Sequence, residues 1–118
     1  MNGELLTDKE YKFLFKMNTY LVNTFNYNRA ANNKLLEKIN QLSNKAECIK
    51  LFSHLVNCQV KWMARIKQEE GAVDMSWWEP IYKPGEMQAA WEKSIDLWIK
   101  YINETTEEVL LDEVTFIG

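Results

Sequence analysis

One histidine, two cysteines, two prolines and four glycines serve 118 residues, and each scarcity excludes something. So few Gly and Pro cannot supply the frequent turns of an all-β chain. Cys48 and Cys58 stand ten residues apart on one apparent helix, about 15 Å along its axis, whereas a disulfide needs Cα atoms within about 7 Å. No apolar run approaches the roughly 20 residues that cross a bilayer, so no membrane span is expected. Seventeen acidic against 14 basic residues give a net charge of -3, and no Lys/Arg stripe interleaved with aromatics appears. Nucleic-acid binding therefore has no electrostatic footprint. No glycine-rich phosphate loop, serine triad or paired-cysteine motif is present. The N-terminus lacks a basic region followed by an apolar stretch, so the default expectation is a cytoplasmic protein.

What is present favours a folded chain. Hydrophobic residues make up 47% and aromatics 13%, enough for one domain spanning residues 1–118. The apolar residues recur at three and four rather than at two, which predicts an all-α protein. Thr7 with Glu10 has the reciprocal capping spacing, so a first helix is expected from about 8 to 42. Its stripe runs Leu14, Met17, Leu21, Phe25, Asn28, Asn32, Leu35, Ile39, Leu42, either continuously or with a kink near Asn18. Asn44 with Glu47 repeats the capping spacing and predicts a second helix over 45–70, ending before Gly71. Its stripe is Cys48, Leu51, Leu55, Cys58, Trp62 and Ile66.

Residues 71–85 hold Pro80 and Pro84 together with Trp77, Trp78, Ile81 and Tyr82. The segment cannot be a helix and is too apolar for a free linker, so it is expected as a long connection lying on the surface. Two adjacent tryptophans there must cover a bundle end, a pocket or a second subunit. A third helix over 86–104 presents Met87, Trp91, Ile95, Trp98 and Ile102. Val109 to Gly118 is rich in β-branched and aromatic residues, which predicts an extended tail. Trp62, Trp91 and Trp98 are expected in the core.

His54 and Cys58, four apart, stand one turn from each other on the second helix and can share a metal. The plain reading is a half-buried histidine bonded to a neighbour and a cysteine acting as a small core residue. A nucleophilic Cys58 would need a base or cation nearby, which the sequence does not establish. Asn28 and Asn32 interrupt an apolar stripe, where an unbonded polar group is costly. They either line a polar pocket or form a structural amide network.

Three places carry a family resemblance. The segment Tyr27, Asn28, Arg29, Ala30, Ala31, Asn32, Asn33, Lys34, Leu35, Leu36 is similar to the first-helix pattern of the DinB-like family of helical-bundle metalloenzymes, which includes the YfiT-like proteins and thiol-dependent transferases. Leu51 to Ile66, with His54, Trp62 and Arg65, resembles that family's second helix. Trp91 to Ile102 followed by Val114, Thr115 and Phe116 resembles its third helix and the segment after it. The resemblance implies an antiparallel helical bundle in which His54 is the first of three histidines holding a divalent metal such as zinc or nickel. Asn28, Asn32 and Cys58 would then be pocket neighbours. The activity implied is a metal-dependent hydrolase or thiol transferase, with metal-activated water or thiolate attacking an electrophile. The other two ligands would come from a fourth helix as His-x3-His, which this sequence does not contain. That helix is missing, or the metal has been lost with it, or it is supplied by a partner.

A competing expectation is a non-catalytic interaction protein. Three amphipathic helices leave an apolar face uncovered, which predicts a homodimer burying roughly 800 Å² or more per subunit.

Overall fold

The structure, a computed structural model, describes residues 7–114, the side chains of 8–16 excepted. Every regular element among the described residues is helical: α1 (Asp8–Asn40), α2 (Ala46–Ile66), a 3-10 turn (Ala72–Asp74), α3 (Pro84–Glu104) and the single turn α4 (Glu107–Leu110). No helix among them is long and apolar enough to cross a membrane. α1 is continuous through Asn18. That side chain instead donates Nδ2 to the carbonyls of Ile102 (2.9 Å) and Thr105 (3.3 Å), satisfying acceptors that the end of α3 leaves open.

Several boundaries differ from expectation. α2 stops at Ile66 rather than near 70, because the chain turns left-handed at Gln68, φ 55°. The amide of Gln68 bonds the Arg65 carbonyl and that of Glu69 bonds the Ala64 carbonyl, the paired closure of a Schellman stop. Gly71, the residue the sequence offered as the stop, lies beyond it. α2 begins at Ala46 with no side-chain cap on Lys45, so the Asn44 and Glu47 spacing is not used as a cap. α3 starts at Pro84, where the missing amide costs nothing. The tail is not extended throughout: residues 107–110 form a helical turn, with Thr106 Oγ1 accepting from the Val109 amide. Leu14 and Glu10 have undescribed side chains, and Thr115 to Gly118 lie outside the described residues.

α3 is the hub. Met87, Trp91, Ile95 and Ile102 are buried on it as the spacing predicts, and Trp98 is half-buried. Phe52 and Val56 of α2 and Leu36 and Ile39 of α1 close on the same cluster. Each such side chain stabilises by about 1.5–3 kcal/mol on removal from water. α1 is clasped to α3 by Arg29, which donates to Glu92 and, at 2.6 Å, to Asp96, while Asn33 donates to Glu92 at 2.7 Å. The backbones of α1 and α2 come close at few points.

The helix directions correct the antiparallel expectation for one pair. Asn18 meets Ile102 while Asn33 meets Glu92, so α1 and α3 are antiparallel. Ser53 meets Met87 while Gln59 meets Trp98, so α2 and α3 run parallel. A parallel pair needs a connection that travels back along the helix, and residues 67–83 are that crossover.

A polar row on α2 holds the crossover down. Ser53 Oγ accepts from the Tyr82 amide (3.0 Å), Asn57 Nδ2 donates to the Pro80 carbonyl (3.1 Å), and Lys61 Nζ donates to the Met75 carbonyl (2.7 Å). Spaced at i, i+4 and i+8, these side chains share one face of α2. All three are buried, and their partners explain how that is tolerated.

Candidate functional site

His54 lies beside this row and is held on three sides. Its Nδ1 is 2.7 Å from the Trp77 carbonyl, which can only accept, so Nδ1 carries the proton. In the neutral ring the lone pair then falls on Nε2. Trp78 stacks on the imidazole, ring centroids 3.8 Å apart and 8° from parallel. Cys58 Sγ stands 3.6 Å from Nε2 and 3.8 Å from Nδ1. Burial pushes the Cys58 thiol above its ordinary pKa, so it is held protonated.

The two tryptophans of the crossover point different ways. Trp77 turns inward, with Lys61 Nζ 4.6 Å and the Arg65 guanidinium 4.7 Å from its ring, and Trp62 tilted against it at 6.0 Å. Trp78 stays half-exposed over His54. Ser76 Oγ sets this divergence by accepting from the amides of both Trp78 (3.1 Å) and Glu79 (3.0 Å). The tryptophan pair therefore covers the flank of α2 that carries His54.

The stripe expected to be the core face of α2 is its uncovered face. Leu51 is 52% exposed, Leu55 36% and Trp62 40%, with Cys48, Cys58 and Ile66 half-buried. Two sides of α2 are covered: α3 takes the side bearing Phe52 and Val56, and the crossover takes the polar row. The richest stripe is left over. Trp62 is accordingly not a core residue.

Facing it, α1 turns Leu21 and Phe25, then Phe25 and Asn28, then Leu35 and Ile39 toward three successive hollows that make a discontinuous groove between α1 and α2, with Trp98 of α3 lining the first two. Its middle section, about 390 Å³, is lined by Phe25, Asn28, Leu55, Cys58, Gln59, Trp62 and Trp98. Phe25 stacks on Trp98 there (5.2 Å, 15°), and Trp98 Nε1 donates to the Gln59 carbonyl at 2.9 Å.

Asn28 and Cys58 thus meet at one groove section, and Cys58 joins it to His54. Asn32 does not reach across: its Nδ2 donates to the Asn28 carbonyl at 3.0 Å and approaches Asn28 Oδ1 at 3.4 Å, both within α1. The two asparagines are linked to each other rather than to a partner helix in these bonds. Sequence reasoning missed the carbonyl that orients His54 and the buried pair Lys61 and Arg65. The available signal was the row Ser53, Asn57, Lys61, regular polar residues in an apolar helix.

The donor chemistry fits a divalent metal in part. Nε2 is the imidazole nitrogen whose opposite nitrogen is anchored, whereas Cys58 Sγ, 3.6 Å from Nε2 and 3.8 Å from Nδ1, lies off the Nε2 lone-pair direction. Among the described residues no group of three or more His, Cys, Asp or Glu converges to hold an ion. Comparisons with protein-family models, curated proteins and solved structures give no match to this chain.

Proposed function

We propose that this chain is a helical-bundle protein of the DinB-like type, in which His54 donates to a divalent metal such as zinc or nickel. The groove beside it would be filled by a further helix or a second copy of the chain. The observation that carries this reading is the 2.7 Å contact between His54 Nδ1 and the Trp77 carbonyl. Metal-binding histidines characteristically donate their other ring N–H to a carbonyl or carboxylate, which fixes the tautomer and ring direction. Trp78 supports the reading by fixing the ring plane.

A bound divalent ion supplies Lewis acidity to hydrolytic or thiol-transfer chemistry. The chain's own residues orient the imidazole and, through Phe25, Leu55 and Trp62, present an apolar wall along the groove. One imidazole holds a metal weakly, so the remaining donors arrive with whatever occupies the groove. Titration calorimetry with zinc and nickel tests this: wild type binds and His54→Ala does not. Equal binding by both proteins sinks the reading.

A second reading is a non-catalytic association module, favoured by the exposure of Leu51, Leu55 and Trp62 on one stripe. On that reading Leu51→Glu with Leu55→Glu abolishes self-association while helicity is unchanged. Sedimentation showing wild type as a monomer at micromolar concentration excludes it.

A further inference from the structure

We infer that a second copy of this chain closes the groove antiparallel to the first, on a two-fold axis that crosses the groove at its middle hollow, between Asn28 and Cys58. The inference rests on the association reading and adds the direction, register and central residues of the contact.

The first argument is register. Asn28 of α1 and Cys58 of α2 line the same middle hollow, each near the middle of its helix's groove face. Leu21 lies seven positions before Asn28 and Leu35 seven after, the one in the first hollow and the other in the last. On α2, Leu55 and Leu51 lie three and seven positions before Cys58, and Trp62 and Ile66 four and eight after. Reversing the groove about Asn28 and Cys58 therefore sets Leu21 against the second copy's Leu35, Leu55 against its Trp62 and Leu51 against its Ile66. Each copy presents the same patch, which is the condition for an isologous contact.

The second argument is the polar group at the centre. Asn28 interrupts an apolar stripe and shares its hollow with Phe25, Leu55 and Trp98. A polar side chain closed into such a hollow needs a partner. On the two-fold axis Asn28 faces its own copy, and each carboxamide can donate Nδ2 to the other's Oδ1. The Asn32 amide, 3.4 Å from Asn28 Oδ1, leaves that oxygen a second lone pair for this bond. A single asparagine in an apolar seam fixes register and the number of chains.

The third argument is charge, and it selects the direction. One end of the groove is acidic: residues 101–114 hold Glu104, Glu107, Glu108, Asp112 and Glu113 with no Lys or Arg, and Asp112 lines the first hollow. At the other end, residues 34–50 hold four lysines against Glu37 and Glu47. Lys34 and Lys38 are exposed there, next in sequence to Leu35 and Ile39 of the last hollow. A two-fold axis along the groove would lay like ends together. One across it lays the lysine end of each copy on the acidic end of the other.

The test combines sedimentation with diamide oxidation of a Cys48→Ser protein, circular dichroism checking that each variant keeps its helicity. The expected result is a dimer at micromolar concentration that oxidation joins covalently through Cys58. Leu51→Cys in a chain lacking both native cysteines stays unjoined, because its two copies stand about 21 Å apart along the antiparallel helices. Lys34→Glu with Lys38→Glu weakens the dimer about tenfold, and adding Asp112→Lys with Glu113→Lys restores it. A dimer that does not cross-link at Cys58, or that the second charge exchange does not restore, overturns this inference and leaves the association reading standing. A chain that stays monomeric at micromolar concentration overturns both.

Discussion

The imidazole of His54 and the indole of Trp78 lie face to face, 3.8 Å between centroids, although one sits mid-helix and the other on the crossover 24 positions later. The contact joins the only histidine to a residue that remains half-exposed. Trp78 therefore shields one ring face and, with Nδ1 held by the Trp77 carbonyl, leaves Nε2 as the nitrogen open to a further partner.

Replacing Trp78 by Ala removes this stack but leaves Trp77, whose carbonyl anchors Nδ1. The expected loss is about 0.5–1.5 kcal/mol of stability, the worth of an aromatic pair beyond its burial, read from urea midpoints. Trp77→Ala costs more, because its ring also holds Lys61, Arg65 and Trp62. If the two variants unfold at the same midpoint, the division of labour between the tryptophans is wrong.

Lys61→Met keeps the apolar stem and deletes the ammonium that donates to the Met75 carbonyl. Lys61 is 3% exposed, so water does not readily replace it. A loss of about 1–3 kcal/mol is expected for carbonyls left without their donor. The crossover should also exchange its amide hydrogens faster than α3 does. Unchanged exchange would show that Lys61 does not pin it.

Gln68 occupies the left-handed position that ends α2, φ 55°, where an L side chain is strained by roughly 1–2 kcal/mol. Gln68 also makes an interaction of its own, so Gln68→Gly recovers only part of that strain. The expected gain is about 0.5–1 kcal/mol, visible as a rise in melting temperature. A fall would mean that the side chain outweighs the backbone.

Burial sets the chemistry of Cys58 in the metal-free chain. Its thiol pKa is raised, so less thiolate exists at any given pH and alkylation must be slower than for an unfolded peptide cysteine. In a Cys48→Ser background, the pH midpoint of iodoacetamide reaction should lie above that of the peptide. A midpoint below it would place a stabilising cation near the sulfur that the structure does not give.

The helices were legible in the sequence because their stripes are long and regular, and α3 shows it best: the spacing of Met87, Trp91, Ile95 and Ile102 maps onto a fully buried face. α2 was misread for a physical reason. Its hydrophobic pattern peaks on Leu51, Leu55 and Trp62, but tertiary contacts cover Phe52, Ser53, Val56, Asn57 and Lys61 instead. Periodicity ranks faces by apolarity and is blind to which face a neighbour reaches. The stop at Gln68 was illegible because glycine at 71 was the stronger local signal, while the hydrogen bonds that closed the helix came from backbone.

The candidate site was half legible. His54 and Cys58 were paired by spacing alone, and the structure puts them 3.6 Å apart. The Trp77 carbonyl that selects the tautomer was not, since a backbone acceptor leaves no trace in residue identity. Asn28 and Asn32 were noticed for being polar in an apolar stripe, and only Asn28 comes to line the groove section bearing Cys58.

The hub position of α3 also sets the order in which the chain becomes stable as it is made. α1 and α2 emerge first, and their backbones approach each other at few points. At about 5–20 residues per second, the 38 residues from Lys67 to Glu104 take roughly 2–8 s to follow. Through that interval the apolar stripes of α1 and α2 lack their common partner, so the nascent chain should recruit a holdase until Trp91 and Ile95 arrive.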